Sequence, residues 1–286
     1  MSFDTISFLS DFGVSDESVG VTKSVIWSIA PTVRIVDITH GIDAHDVRAG
    51  GLALARAANY LLPGVVLGVI DPGTGSDRKP VCIEVGAGQS YLVGPDNGLF
   101  APAVGMVGGA TNAWVLDNPD FHIEGIGSTF AGRDVFAPVA AHLTRGVPPE
   151  RLGTPIDPAL LLPGVLPVAQ LNDDGRIEAE VLWIDRFGNV QLNVDPDDVA
   201  GWPAVRIEAD KLERAALPVH TYAAVTTGSI GILADASGLL SLAVDRGSAA
   251  DELRLMEGDQ LKLSRTEVPG RQVAVKLGAT KENPER

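Results

Sequence analysis

Short stretches of this chain concentrate the side chains that can do chemistry. In IDPGTGSDRKP, residues 70–80, Asp71 precedes a Pro-Gly-Thr-Gly turn and then Arg78. A turn of that length brings a carboxylate and a guanidinium together, and its glycines let a ligand approach the backbone. Such a pair either acts on a bound molecule or simply braces its loop, and the residues alone leave both readings open. In FLSDFGVSDES, residues 8–18, Asp11 and Asp16 flank a strand-to-helix turn. Acids there can accept hydrogen bonds from a sugar diol or an ammonium group, or Asp16 can simply favour a helix N-terminus. In WIDRFGNVQLN, residues 183–193, Asp185, Phe187 and Asn189 alternate. An extended chain would put all three on one face, suited to an amino acid or a purine, whereas a β-turn at Phe187-Gly188-Asn189 explains the same residues. Finally GSTFAGRDVFAPVAAHL, residues 127–143, reads as a Gly/Ser/Thr loop entering a helix, with Arg133 and Asp134 in the first turn. The free N–H groups of a helix start suit an anion or a nucleophile.

Other chemistries find little support. His40, His45, His122, His142 and His220 are scattered, and with the single Cys82 they give no zinc spacing, so no metal is expected. Asp and His near 37–46 are read as solvated loop polarity rather than a cation site. GTGSDR lacks the third glycine of a dinucleotide fingerprint, and neither a G-x-S-x-G elbow nor a Walker pattern occurs.

The elements that must position these residues follow from patterning. The chain has 286 residues, 45% hydrophobic and 21% charged, which is ordinary globular composition with room for one large domain or two modest ones. Residues 5–9, 34–38 and 65–70 read as strands; residues 16–30, with Ser15 as N-cap, and 46–62 read as helices. That alternation predicts an α/β domain over residues 1–150, with a mainly parallel sheet covered by helices. Ligands of such sheets sit beyond the carboxyl ends of strands, and Asp11, Asp37 and Asp71 are expected at or just past strand ends. Residues 151–175 lie in a proline-rich stretch without periodicity and read as an extended connection. Residues 176–286 hold short apolar runs between turn residues (RIEAEVLWID, NVQLNV, AVRIEA, GSIGILAD, LLSLAVD, DQLKLS, RQVAVKL), predicting a smaller β-barrel or sandwich. The GATKENPER tail is expected to fray.

Lys plus Arg number 22 against 37 Asp plus Glu, a net charge of −15, which disfavours a nucleic-acid partner. No basic leader precedes an apolar run, no run reaches the length of a membrane span, and the lone cysteine suits a reducing compartment; a cytoplasmic protein is expected.

Taken together, FLSDFG, IVDITHGIDAHDVRAG, VIDPGTGSDR, LVGPDNGLF, STFAGRDVFAPVAAHL, IDRFGNV and LLSLAVDRGSAADEL resemble the S-adenosyl-L-methionine (SAM) hydroxide adenosyltransferases, or SAM hydrolases, which are related to the SAM-dependent fluorinases and chlorinases. The matching segments run in the family's order from residue 8 to about 253. The resemblance implies an α/β domain followed by a C-terminal β-barrel, in a homotrimer whose active sites lie between neighbouring subunits. It implies that water or hydroxide attacks ribose C5′ of SAM, releasing L-methionine and leaving adenosine, with SAM as substrate and no cofactor.

Carried over by position, the resemblance implies that Asp11 holds the ribose hydroxyls and Asp16 the region of the methionine end. Asp71 and Arg78 match two of the three side chains that orient and activate the water. The halogenating relatives lack the acid matched by Asp71. Thr129, Phe130 and Gly132 match the loop around C5′. Asp185 and Asn189, with Phe187 nearby, match contacts to the methionine and adenine portions. Tyr222 matches an aromatic packed on adenine, and the backbone at Val244 and Arg246 matches the groups reading the adenine edge. Ser237 follows Ala236, where the family has a hydroxyl residue near the methionine carboxylate. The family pattern at the nucleophile loop is T-F-H-G-R-D, and this chain has Ala131 in place of the histidine. A methyl group neither accepts a proton nor orients water, so an impaired hydrolase is expected. The alternatives are a SAM-dependent halogenase and a non-catalytic binder of SAM or adenosine.

Overall fold

The computed structural model describes residues 2–267 except Ile126, Val165, Asp210 and Lys211. The strand expected at 271–277 and the C-terminal tail lie outside the described residues. The chain divides into two compact units, with the boundary between Leu166 and Pro167.

In the first unit, β1 (Thr5–Ser10), β2 (Arg34–Thr39), β3 (Val65–Val69), β4 (Pro80–Val85), β5 (Ser90–Pro95), β6 (Ala110–Val115) and β7 (Thr154–Ile156) form one sheet in the order β2-β1-β3-β5-β4-β6-β7. The pairings from β2 through β1 and β3 to β5 are parallel, and those from β5 through β4 and β6 to β7 are antiparallel. Most strands therefore run one way, as the α/β alternation predicts. β1 and β3 are buried along their whole length because both faces are covered. The covering helices are α1 (Ser18–Ile29), α2 (Val47–Ala58), α3 (Ala101–Met106) and α4 (Ala137–Thr144). On one face Ile6, Phe8, Val65 and Leu67 pack with Ile26 of α1 and Val139 and Ala140 of α4. On the other, Leu9 and Val66 pack with Leu54 of α2 and Ala103 of α3. The alternation along β1 and β3 is the strand period sorting side chains to two cores.

Two local expectations are corrected. Helix α1 begins at Ser18, not at 16, and Glu17 rather than Ser15 stands at its N-cap without a side-chain cap bond. Asp16 Oδ1 instead accepts the Ser18 N–H at 3.0 Å, so the acid does the capping that Ser15 was expected to do. Asp37 lies within β2 rather than at its end. Helix α2 carries the side-chain cap that its sequence suggests, with Asp46 accepting from the Ala49 N–H at 2.8 Å.

In the second unit, β8 (Gln170–Leu171), β9 (Ile177–Ile184), β10 (Val190–Leu192), β11 (Ala204–Ala209), β12 (Leu212–Pro218), β13 (Ile230–Ala234), β14 (Leu240–Val244) and β15 (Gln260–Thr266) are hydrogen-bonded in the order β10-β14-β13-β12-β11-β15-β9-β8. A further β10–β9 pairing closes β9 to β15 into a barrel, with β8 outside the ring. Val181, Val190, Val205, Ile207, Ile232 and Leu263 fill the interior. Strand β12 (LERAALP) escapes sequence reading because its polar residues and terminal proline mask the alternation.

Candidate active site

β1 and β3 are parallel neighbours, so the residues that follow them emerge together at the carboxyl end of the strands. Asp11 follows β1 directly, and its Oδ2 accepts the His45 N–H at 2.9 Å. The His45 backbone is left-handed at φ 73°, a conformation that turns this N–H toward the carboxylate.

Asp71 follows Ile70 just past β3. Its Oδ2 accepts from Arg78 Nη2 and, at 2.8 Å, from Thr74 Oγ1. The side chains are 4% and 11% exposed for Asp71 and Arg78, so this is a buried ion pair rather than a surface one. Yet Asp71 Oδ1, Arg78 Nε and Arg78 Nη1 are buried with no hydrogen-bond partner among the described residues. Several unpaired polar atoms on one buried pair are costly unless a ligand or water meets them. The guanidinium carbon lies 5.5 Å from the centre of the Phe136 ring, which walls the site. Asn97 Nδ2 donates to the Ile70 carbonyl at 2.8 Å and so fixes the backbone just before Asp71.

The 127–130 loop comes down beside this pair. A Cβ on Gly75 would lie 3.4 Å from the Ser128 carbonyl oxygen, which brings the 71–78 turn against the 127–130 loop. Thr129 is exposed and Phe130 half-buried. Residues Gly132–Phe136 form a π-turn leading into α4, a widened turn that needs its own reason to persist. One reason is Phe130, whose carbonyl takes both the Arg133 and Asp134 N–H groups at 3.0 Å. Another is the Arg133–Asp134 pair, bidentate at 2.6 and 2.9 Å, with Arg133 lying 5.2 Å over the Phe130 ring. Phe12 meets Phe130 edge-on at 5.5 Å. A Cβ on Gly132 would come within 2.8 Å of Phe12 Cζ, so a larger residue there must move the Phe12 ring. Ala131 is half-buried at the start of this turn and packs against the same core as Phe12.

Asp11, Asp71, Arg78, Phe130 and Gly132 are thus gathered at the carboxyl end of the parallel strands of the first unit. Asp16 is exposed and engaged with the start of α1, the structural role that its position allowed.

The second unit carries its own hollow of about 760 Å³, lined by Asp185, Phe187, Asn189, Tyr222, Val244 and Arg246 among others. Of the two readings of 185–189, the turn holds: the segment is a tight turn between β9 and β10, not an extended strand. Asp185 Oδ1 accepts the Phe187 and Asn189 N–H groups at 2.8 and 2.9 Å, and Oδ2 accepts Asn189 Nδ2 at 2.8 Å. Gly188 sits at φ 80°, which the turn requires. The turn nonetheless projects Phe187, 73% exposed, as a free aromatic face. Burial, then the Asp235 carboxylate, push the Tyr222 phenol above its ordinary value. Arg246 has a left-handed backbone at φ 53° and an exposed side chain, so its backbone is the part that the hollow offers. Ser237 lies in the turn between β13 and β14, its N–H donating to Asp235 Oδ1 at 2.8 Å, and is not among the residues lining the hollow.

Sequence reading missed Thr74, Asn97 and Asp245. Asn97 was within reach, since LVGPDNGLF runs off the end of β5, the parallel neighbour of β3. Asp245, which accepts from Thr227 Oγ1 at 2.6 Å, gives no signal beyond standing at a strand end. Among the described residues no three His, Cys, Asp or Glu side chains are grouped to hold a metal ion, and no helix is long and apolar enough to cross a membrane.

Comparison with known proteins adds an independent line. Residues 6–153 match the SAM hydroxide adenosyltransferase N-terminal domain, and residues 179–262 match the corresponding C-terminal domain. The chain is 38% identical over 260 residues to the (R)-S-adenosyl-L-methionine hydrolase of Salinispora tropica, covering 91% of this chain and 97% of that one. It is 38% identical over 277 residues to the protein of the same name from Thermus thermophilus, covering 90% and 98%. A fluorinase from Actinopolyspora mzabensis is more distant, at 26% over 293 residues. Among solved structures, an uncharacterized conserved protein from Thermotoga maritima superposes with a TM-score of 0.82 at 33% identity, covering 91% of this chain and all (100%) of the other.

Proposed function

The chain belongs to the SAM hydroxide adenosyltransferase family, and from that premise we propose that it hydrolyses SAM to adenosine and L-methionine by attack of water or hydroxide at ribose C5′. The observation that carries the reading is the buried Asp71–Arg78 pair with Asp71 Oδ1 left open at the carboxyl end of the parallel strands. A carboxylate oxygen so placed accepts a proton from water, while the open Arg78 N–H groups orient the attacking oxygen. The new O–C5′ bond forms as the C5′–S bond breaks, its electron pair returns to sulfur as the methionine thioether, and the proton leaves to solvent. The sulfonium is a good leaving group, so the protein's contribution is positioning and exclusion of bulk water.

In this reading Asp11 binds the ribose hydroxyls, Thr129, Phe130 and Gly132 shape the space around C5′, and SAM needs no cofactor beside it. The hollow of the second unit, with Phe187, Asn189, Tyr222 and the backbone at Val244 and Arg246, takes the adenine and methionine portions. We assign the working form to a homotrimer in the cytoplasm, with a neighbour's second unit completing each site. Ala131 removes the third water-handling side chain, so turnover is slow. Loss of one general base or orienting group costs about 10²–10⁴-fold in rate.

The test is a chromatographic product assay with SAM, run for this protein and for Ala131→His, with and without chloride. Adenosine and methionine in equal amounts support the hydrolase. A 5′-chloroadenosine product would replace it with a halogenase, and SAM bound but unchanged by both proteins would replace it with a binder.

A further inference from the structure

Ser10 and His40, both buried, and the exposed Asp37 form a chain of contacts that the proposed chemistry does not use. Ser10 Oγ lies 2.8 Å from His40 Nδ1, and His40 Nε2 lies 3.2 Å from Asp37 Oδ1. Lys23 Nζ completes the chain, 2.7 Å from Asp37 Oδ2. The residue types are those of a hydrolytic triad, but Ser10 is 0% exposed, so no substrate reaches its hydroxyl. The chain must therefore act on something inside the protein.

Its contacts say what. Asp37 Oδ1 faces Nε2 without closing a hydrogen bond, and in the tautomer that keeps the ring proton on Nε2, toward this carboxylate, Nδ1 accepts the Ser10 hydroxyl proton. Ser10 Oγ then keeps its lone pairs for the Phe12 N–H, at 3.3 Å. The His40 carbonyl takes the Gly13 N–H at 2.8 Å. The His40 ring is held edge-on to Phe8, with centroids 4.6 Å apart. Burial opposes charge on Asp37, but the Lys23 ammonium and the His40 ring outweigh it and hold its carboxyl below the ordinary value. Ser10 and Phe12 flank Asp11, Gly13 lies two residues beyond it, and the segment that carries His40 goes on to supply the His45 N–H to Asp11 Oδ2.

We infer that His40 is a positioning residue that, through Ser10 and the 10–13 backbone, sets the Asp11 carboxylate for a ribose diol. The inference rests on the reading that Asp11 binds the ribose hydroxyls. Without the relay Asp11 would still be present, but its turn would lose the side-chain bond that fixes it from the inner side.

The experiment measures equilibrium binding of adenosine and of 2′,3′-dideoxyadenosine, which lacks the diol, by calorimetry on the full chain. His40→Phe and Ser10→Ala should each weaken adenosine about tenfold, the size of one lost charge-linked hydrogen bond, and leave the dideoxy analogue unchanged. His40→Asn, whose amide oxygen can take the place of Nδ1, should recover most of the loss. Should His40→Phe fold poorly, Ser10→Ala deletes only the hydroxyl and carries the same prediction. Equal weakening of both nucleosides, or an undiminished preference for adenosine in Ser10→Ala, overturns the inference alone. A wild-type protein that does not prefer adenosine to its dideoxy analogue overturns the ribose reading of Asp11, and this inference with it.

Discussion

Arg78 donates to one oxygen of Asp71, the same oxygen that Thr74 caps, and leaves the other oxygen buried and open. A bidentate pair would occupy both oxygens, since the guanidinium fork matches a carboxylate with two parallel bonds. The open oxygen predicts the first outcome. Asp71→Asn keeps the volume and the Arg78 contact but cannot take a proton, so kcat for SAM hydrolysis should fall by about 10²–10⁴ with little change in KM. Steady-state adenosine release decides it. A rise in KM at unchanged kcat would make Asp71 a binding residue only.

Ala131→His should raise kcat by about 10²–10⁴ if the missing side chain limits turnover. Residues that act as a unit are not additive, so the gain should vanish in the Asp71→Asn background. Single-turnover measurement of both variants separates this from faster product release. An equal gain with and without Asp71 would mean that the histidine works by another route.

Gly132 reports on packing rather than chemistry. Its missing Cβ would stand 2.8 Å from Phe12 Cζ and 3.2 Å from Phe130 Cε2. Gly132→Ala must push two rings apart, and overpacking of this kind costs about 1–3 kcal/mol. Urea denaturation should show that loss, with a fall in kcat because Phe130 belongs to the loop beside Asp71. Unchanged stability would show that Phe12 yields without cost.

Much of this was legible in the residues. A mostly apolar run announced β1 and a buried apolar run announced β3, and the position of Asp71 before a Gly-rich turn put a carboxylate where ligands of parallel sheets bind. The barrel was legible as short strands, but β12 was not, because LERAALP sets Glu213 and Arg214 side by side, which breaks the alternation, and ends in proline. Spacing left residues 185–189 open between a strand and a turn, because alternation looks the same in both; Gly188 at positive φ, with Asp185 holding two N–H groups, distinguishes them. The Ser10–His40 contact spans 30 residues and was beyond any local pattern.

Phe187 and Asp185 share that turn but should respond differently. Phe187 is 73% exposed, so Phe187→Ala should alter stability by no more than about 0.5 kcal/mol while weakening adenosine. Asp185→Ala removes the acceptor of the exposed Phe187 N–H and the part-buried Asn189 N–H and should cost about 0.5–1.5 kcal/mol as well as affinity. Melting curves beside adenosine titrations test the split. Parallel losses in both variants would make Phe187 part of the fold and not of the hollow.

His122 and His142 lie away from the proposed chemistry and predict how the fold responds to acid. Burial holds the His122 imidazole below its ordinary value of about 6.5, with Asp117 pulling partly back. Burial, then Arg145, do the same to His142, whose ring also meets Phe121 edge-on at 5.0 Å. Groups depressed in this direction bind fewer protons folded than unfolded. Stability should therefore be full above pH about 6.5, decline as pH falls through that value, and level off below the folded-state values. Asp37 acts in a lower window: its carboxyl is held below 3.8, so its contribution persists until pH falls beneath that value, and the two effects separate on the pH axis. Melting temperature from pH 8 to 5 should drop for the wild type and flatten in His122→Asn/His142→Asn. An equal drop in the double variant would place the acid sensitivity elsewhere in the chain.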